Sequence, residues 1–333
     1  DRPRPVAGPG EVLVDLAACG VCGTDLEKLR GNYRASSPLG HEPVGRVAVI
    51  GPDVTTLDVG DRVFVHHHIP CLTCDVCRRG DVTFCAEYSK SNLDPGGFAE
   101  TFRVSADHVR RGAALKLDPS VRWLTGTLLE PAGCALTALK RVGFHPGDSV
   151  FIVGLGPVGL LYARLARALG ARWVGGAELS ADRRLAAVAG GADVAVDPRD
   201  EGAARTAVDQ ATGGGGVDLA VVATGAPVAV SLATGLARRG GTLNLFGLPE
   251  AGSRLGIELQ ELYLRGLRVI PTYATTEPDI AEVHAMLVAR RLSVEGLVTH
   301  HFALEDLTAA FRVAAEPQTA LKVAVTGPAF SAD

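Results

Sequence analysis

One short stretch limits what this chain can fold into more than any other. A β-rich apolar run at 150–153 leads straight into Gly154-x-Gly156-x-x-Gly159, and a helical pattern follows over 160–169. Glycines at these offsets permit a tight turn, close approach of a pyrophosphate to the backbone and close packing of helix on strand. The free N–H groups of the helix start then favour an anion. Such a loop belongs in a parallel sheet with crossover helices, and the flanking sequence supplies one. Strand patterns at 173–178, 194–196, 218–223 and 242–246 alternate with helical patterns near 181–189 and 228–237. The run TGGGGVD at 212–218 reads as a surface turn, because a strand and not a helix follows it.

The residues around the loop point to a dinucleotide. Glu178 lies nineteen residues after Gly159, at the end of the next strand. A carboxylate there accepts the ribose hydroxyls and repels a 2′-phosphate, so NAD is expected over NADP. Arg183 and Arg184 are placed to receive that phosphate and keep NADP open. Pro157 and Val158 inside the loop, and Thr224-Gly225 after the strand at 218–223, complete the expected cofactor contacts.

The first third follows another pattern. Residues 11–115 read as all-β, with short β-rich runs separated by Gly, Pro and Asp turns. A chain of 333 residues exceeds what a single core usually holds, so the expected division is a β-rich part over 1–120, an α/β part over 121–276 and a tail over 277–333. Helical periodicity over 124–142 opens the middle part. The tail reads as helix 279–290, strand 298–302, helix 304–315 and strand 321–326. The net charge of −4, without any basic block, argues against nucleic acid and anionic membrane as partners. No apolar run approaches the ~20 residues that span a bilayer. The start, DRPRPVAGPG, has no apolar core of a signal peptide, and a cytoplasmic location is expected.

Seven cysteines are present, and four of them fall within fifteen residues as Cys71-x2-Cys74-x2-Cys77-x7-Cys85. Two short gaps aim sulfurs at one centre and the longer loop returns the fourth, as a closed tetrahedral Zn²⁺ site requires. An iron–sulfur cluster would want a shorter last gap and a Pro after the last Cys, where Ala86 stands. This lobe spans 66–90. With four sulfurs filling the shell, His66, His67 and His68 read as ordinary strand-end residues.

A second set is scattered. Cys22-Gly-Thr24-Asp25, Gly40-His41-Glu42 and Leu129-Glu130-Pro131 together offer a thiolate, an imidazole and carboxylates, the mixed donors of a catalytic zinc that keeps one position open. Asp25 is a candidate acceptor for the ligating imidazole's second N–H. Cys19 reads as a buried strand residue and Cys134 as helix packing.

Taken together, GVCGTDL (20–26), GHEPVG (40–45), the four-cysteine lobe, GGFAE (96–100), LLEPAGCAL (128–136) and the glycine-loop segment (150–171) resemble the zinc-containing medium-chain dehydrogenase/reductase superfamily. The likeness covers essentially the whole chain, and EPAGCAL is similar to the sorbitol, threonine and polyol branch. The fold this resemblance implies is α/β: a GroES-like β-rich catalytic domain, to which the tail returns, interrupted by a Rossmann domain of doubly wound parallel sheet, with a cleft between them. It implies two zinc ions: a structural one on the lobe and a catalytic one held by Cys22, His41 and Glu42 or Glu130. It also implies oxidation of a polar secondary alcohol with NAD in a dimer or tetramer. Thr24 would bond the substrate oxygen, with Glu27 standing where many members have a relay His. Tyr33, Asn92, Asp94, Glu130 and Tyr273 would line the substrate region and favour a polyol or cyclitol. The sorbitol enzymes' Arg-Tyr pair is Thr272-Tyr273 here, so the resemblance stops short of sorbitol itself. The strand that usually precedes the position of Asp1 is missing. A threonine or simple secondary-alcohol dehydrogenase is the nearest alternative, and a non-catalytic zinc- and nucleotide-binding protein the more distant one.

Overall fold

The computed structural model describes residues 3–31, 38–200, 202–249, 251–316 and 320–331. The chain divides into two compact units: Asp1–Gly133 with Thr275–Arg290 and Val294–Asp333, and Cys134–Ala274 with Arg291–Ser293.

The first unit opens with strands β1 (Val12–Gly20), β2 (Glu42–Ile50), β3 (Arg62–Val65), β4 (Thr101–Val104) and β5 (Ala114–Lys116). Between and after them lie short helices α1 (Gly23–Leu29), α2 (Asp75–Arg78), α3 (Ala106–Arg110) and α4 (Trp123–Gly126), and then the start of α5 (Leu129–Arg141). Periodicity alone suggests one helix over 124–142. The break before Leu129 has a local cause: Pro131 has no N–H for the Thr127 carbonyl, and it is tolerated only in the first turn of a new helix.

In the second unit strands and helices alternate: β6 (Ser149–Val153), α6 (Pro157–Ala168), β7 (Trp173–Ala177), α7 (Ala181–Ala189), β8 (Val194–Val196), α8 (Ala203–Thr212), β9 (Val217–Val222), α9 (Pro227–Leu236), β10 (Ala237–Leu245), α10 (Leu259–Arg265) and β11 (Arg268–Pro271). All pairings are parallel, in the order β8-β7-β6-β9-β10-β11. Strand order therefore reverses between β6 and β9, where a doubly wound sheet binds its ligand. β6 is buried throughout, and Phe151 and Val153 join Val222, Ala233 and Leu243 in one apolar core.

The tail carries α11 (Glu277–Val288), β12 (Val298–Ala303), α12 (Leu307–Ala315) and β13 (Lys322–Thr326). These strands complete the first unit's sheet, ordered β12-β13-β1-β2-β3-β5, with β4 also paired to β1. β1 lies among three antiparallel partners. Its Val12, Val14 and Leu16 meet Val47, Val63, Val65, Phe102 and Val104 in that unit's core. Two strands remote in sequence, β2 and β13, are thus brought beside the end of β1.

Candidate active site

At the end of β1 the chain turns through Cys22 into α1, and Asp25 is wholly buried in that turn. The Asp25 carboxylate accepts from Cys22 N, Gly40 N and His41 Nδ1, each at 3.2 Å. Burial works to raise its pKa, and the contacts with His41 and the two backbone N–H groups outweigh it, so the carboxyl stays below the usual range. With Nδ1 committed to Asp25, His41 keeps Nε2 for a ligand.

Glu42 begins β2 directly opposite Gly20 in the β1–β2 register. A Cβ on Gly20 would lie 1.7 Å from Glu42 Oε2, so glycine there makes room for the carboxylate. Cys22, His41 and Glu42 offer donor atoms that all lie within 4.8 Å of one another. A thiolate, an imidazole and a carboxylate converging in this way suit a zinc ion with a position left over.

The structure adds a residue that the sequence pattern does not reveal. Lys322, the first residue of β13, is buried with Nζ 2.6 Å from both oxygens of Glu42. Its hydrogen-bond geometry serves Oε1, and Oε2 is left buried without a hydrogen bond. That orphaned oxygen is the one a metal would satisfy. Burial works to strip Lys322 of its proton, but the charges of Glu42 and Cys22 prevail and raise its pKa. Glu130, in the first turn of α5, is also buried, and its charge acts on Glu42 and Lys322. It is not among the three converging donors.

The remaining predicted residues are dispersed. Thr24 lies half-buried on α1, and its hydroxyl makes no hydrogen bond among the described residues. Glu27 accepts from Arg30 Nη1 at 2.6 Å. Asn92 caps its own loop by accepting from Leu93 N at 2.9 Å, and Asp94 pairs with Arg103 at 2.9 Å. Tyr33 lies outside the described residues. In the second unit, Thr272 Oγ1 accepts from Asn244 Nδ2 at 3.1 Å and Tyr273 is partly exposed. Cys19 is buried within β1 and Cys134 lies in α5.

His66, His67 and His68 follow β3 and are all buried. His66 Nδ1 donates to Glu277 at 2.9 Å and His68 Nδ1 to the Ser91 carbonyl at 2.5 Å. The His67 ring lies tilted against those of His68 and His41, with ring centroids 3.9 and 5.0 Å away.

Cys71, Cys74, Cys77 and Cys85 also converge, all four donor atoms within 4.8 Å. Their closest sulfur pair, Cys71 and Cys85, is 3.5 Å apart. Thr73 and Cys74 donate to Cys71 Sγ at 3.6 and 3.4 Å. Hydrogen bonding from Thr73 and from the Cys74 N–H lowers that thiol's pKa to about 5, so it is ready as a thiolate at neutral pH.

In the second unit the glycine loop links β6 to α6. Gly154 has φ +97°, and a Cβ on Gly159 would lie 2.0 Å from the Gly154 carbonyl, so both positions require glycine. Gly156 caps α6, with Pro157 and Val158 opening its first turn. Glu178 follows β7 and accepts from Leu155 N at 2.9 Å and Ser180 N at 3.1 Å, which fixes its carboxylate beside the loop. Arg183 Nη1 reaches within 3.8 Å of a Cβ built on Gly156. Arg184 is turned onto the Glu178 and Leu179 carbonyls and Asp197. Thr224-Gly225 packs against Gly154 and Gly247 at the ends of β9 and β10.

Comparison with known proteins shows the family. Residues 8–113 match the alcohol dehydrogenase GroES-like domain and residues 157–289 the zinc-binding dehydrogenase domain. The chain is 32% identical to sorbitol dehydrogenase of Gallus gallus, over 93% of this chain and 88% of that one. It is 34% identical to L-threonine 3-dehydrogenase of Pyrococcus abyssi, over 91% and 86%. A zinc-binding dehydrogenase from Sinorhizobium meliloti 1021, solved bound to NADP, superposes with a TM-score of 0.86 at 28% identity, covering 98% of this chain and 94% of that one.

Proposed function

The chain belongs to the zinc-containing medium-chain alcohol dehydrogenase family, and from that premise we propose that it oxidises a polar secondary alcohol, of polyol or cyclitol type, with NAD as hydride acceptor. The observation that carries this reading is the convergence of Cys22, His41 and Glu42, with Asp25 fixing the imidazole. Zinc, when bound there, supplies the Lewis acidity that brings an alcohol's deprotonation near neutral pH. The protein's own part is positional. Asp25 holds His41 in one tautomer and orientation, and Lys322 balances the buried charge of Glu42. Thr24, whose hydroxyl has no protein partner among the described residues, accepts a hydrogen bond from the substrate hydroxyl and relays the proton, passing its own on to water or Glu27 as the substrate's arrives. The four-sulfur lobe takes the second zinc in a structural role.

Glu178, fixed beside the glycine loop by two backbone N–H groups, supports NAD. Arg183 near Gly156 and the NADP-bound relative make NADP the necessary control. Both curated relatives are named for alcohols with a polar group next to the carbinol carbon, sorbitol and threonine, and the threonine-type activity is the second reading.

The test is a panel of inositols, alditols, threonine and butane-2,3-diol with NAD and NADP, run beside a measurement of zinc per chain. Two zinc ions and NAD reduction by a polyol or cyclitol are expected. Turnover of threonine alone would move the assignment to the second reading. One zinc per chain with no turnover would leave a non-catalytic nucleotide-binding protein.

A further inference from the structure

Asn244 is wholly buried in β10, between the apolar residues Leu243 and Leu245. Its carboxamide is used at both ends. Oδ1 accepts from the Tyr162 hydroxyl at 3.3 Å, while Nδ2 donates to the Ile270 carbonyl at 3.0 Å and to Thr272 Oγ1 at 3.1 Å. A carbonyl can only accept, so the contact with Ile270 fixes which end of the amide is nitrogen. Ile270 lies opposite Asn244 in the β10–β11 register, and Thr272 stands just past the end of β11. Tyr162 belongs to α6, the helix that leaves the glycine loop. One side chain thus ties α6, β10 and the exit of β11 together. An apolar residue would fill the same volume without the desolvation that a buried amide costs. What a fully satisfied amide adds is a single fixed arrangement of the groups it bonds.

That arrangement lies where one half of a dinucleotide belongs. Glu178, the candidate ribose acceptor, follows β7, on one side of β6. With a pyrophosphate at the turn between β6 and α6, the second nucleotide crosses to the other side, over β9, β10 and β11. At ~4.8 Å per strand, the ends of β10 and β11 stand about 10 and 14 Å from β6. The chain exits on that side are interlocked. Phe246 N and Gly247 N donate to the Val222 carbonyl at 3.0 and 2.8 Å, and Thr272 N donates to the Leu245 carbonyl at 3.1 Å. A Cβ on Gly247 would lie 2.5 Å from the Thr224 backbone, and Thr224 packs on Gly154 of the glycine loop. β11 pairs with β10 alone among the described strands, so the outermost exit depends most on its tie to Asn244.

We propose that Asn244 is a positioning residue for the nicotinamide riboside half of the cofactor: through Thr272 and the Ile270 carbonyl it holds the exits of β10 and β11 in the arrangement that this half binds. Asn244 itself is too deeply buried to touch the cofactor. This role rests on the NAD reading above and does not depend on which alcohol is oxidised. Without the ties, fewer molecules hold the binding arrangement, and apparent affinity falls by that fraction. ADP keeps the adenosine and both phosphates and lacks the nicotinamide riboside, so it needs the glycine loop and Glu178 but not the exit of β11.

The test measures affinities for NADH and for ADP by titration calorimetry in zinc-loaded wild type, Asn244→Leu, Thr272→Val and the double variant. Leucine keeps the volume and removes every polar tie, whereas valine removes only the Thr272 hydroxyl. In Asn244→Leu the affinity for NADH falls by about tenfold or more and that for ADP stays within about twofold. Thr272→Val shows the same split at about threefold, having lost one bond. The double variant binds NADH no more weakly than Asn244→Leu, because both changes act through one contact.

Equal losses for the two ligands would mean that Asn244 only supports the unit as a whole. An unchanged affinity for NADH would mean that the exits keep their places without it. Either result overturns the proposal. If Asn244→Leu does not fold, Thr272→Val decides by the same split. A wild type that binds neither ligand refutes the NAD reading itself, and the role of Asn244 falls with it.

Discussion

The two units assemble their working residues in opposite ways. In the parallel unit everything beside the nucleotide loop, from Gly154 to Gly225, comes from the carboxyl ends of neighbouring strands and the turns that leave them. In the first unit, whose sheet is antiparallel around β1, the mixed donor cluster draws on the end of β1, the start of β2 and the start of β13, so that Glu42 and Lys322 meet across 280 residues of sequence. A parallel sheet gathers its loops at one edge by topology. An antiparallel sheet gathers side chains by register, and one residue of slip would turn Glu42 to the other face. The first kind of site tolerates change by element; the second depends on individual pairs.

The largest expected effect separates the units by function. His41→Gln removes the ring that Asp25 orients, and turnover should fall by about a thousandfold or more, since Lewis-acid assistance is worth several kcal/mol. NADH binding, followed by its fluorescence, should stay within about threefold of the wild type, because the nucleotide loop draws nothing from β2. A parallel loss of NADH affinity would break the comparison.

Next comes the pair that only register creates. Lys322→Met leaves Glu42 buried beside an apolar chain. Removing one partner of a buried ion pair costs about 3–5 kcal/mol, measurable by urea unfolding. Adding Glu42→Gln to Lys322→Met should restore most of that loss. If the single variant unfolds within about 1 kcal/mol of the wild type, Lys322 is not balancing a buried charge and the cluster is less exacting than its distances suggest.

This contrast also explains what could be read from the sequence. The glycine loop, Glu178 and the four-cysteine lobe are legible because each is local: spacing alone brings Cys71 to Cys85 or Gly154 to Gly159. Cys22, His41, Glu42 and Glu130 could be named as candidate donors by residue type, but nothing in their spacing says that β1 and β2 are neighbours or which carboxylate joins the other two. Lys322 carried no signal at all, being one lysine at the start of a strand. The histidines after β3 were legible as strand-end residues outside both donor sets, but not their burial against His41, which is a tertiary fact. The tail's two strands were legible from β-rich runs, but not their place beside β1. α8 has no counterpart in the sequence pattern because Arg205, Thr206, Asp209 and Gln210 blur its apolar face, and its αL cap Gly213 falls in the run read as a surface turn. Pro131 was readable as a helix start and was outweighed by the periodicity around it.

A smaller effect tests whether the parallel unit has an exacting pair of its own. Burial works to raise the pKa of Asp218, but the Ser149 N–H and hydroxyl, Arg238 and Arg172 hold its carboxyl far below the usual range. A carboxyl depressed in the folded state stabilises above its unfolded pKa of about 3.9 and loses that contribution as pH falls toward the folded value. Asp218→Asn should therefore cost about 2 kcal/mol near neutrality, and the gap from the wild type should close as pH drops below about 4. An unchanged gap at pH 3 would mean that packing, and not charge, is what Asp218 provides.

The smallest effect is expected where the comparison should disappear. Asp75 pairs with Arg78 at 3.0 Å on the cysteine lobe, and Asp209 with Arg205 at 3.5 Å on α8. Both pairs stand in water, with Asp75 and Arg78 82% and 68% exposed and Asp209 and Arg205 42% and 46%. Solvent and side-chain entropy absorb most of the attraction in such pairs. Asp75→Asn and Asp209→Asn should each shift unfolding free energy by no more than about 0.5 kcal/mol, and Asp75→Asn should leave zinc content unchanged. A clear loss of zinc in Asp75→Asn would mean that the lobe, although built from one local segment, also depends on a charge pair, and the line drawn between local and register-built sites would then lie elsewhere.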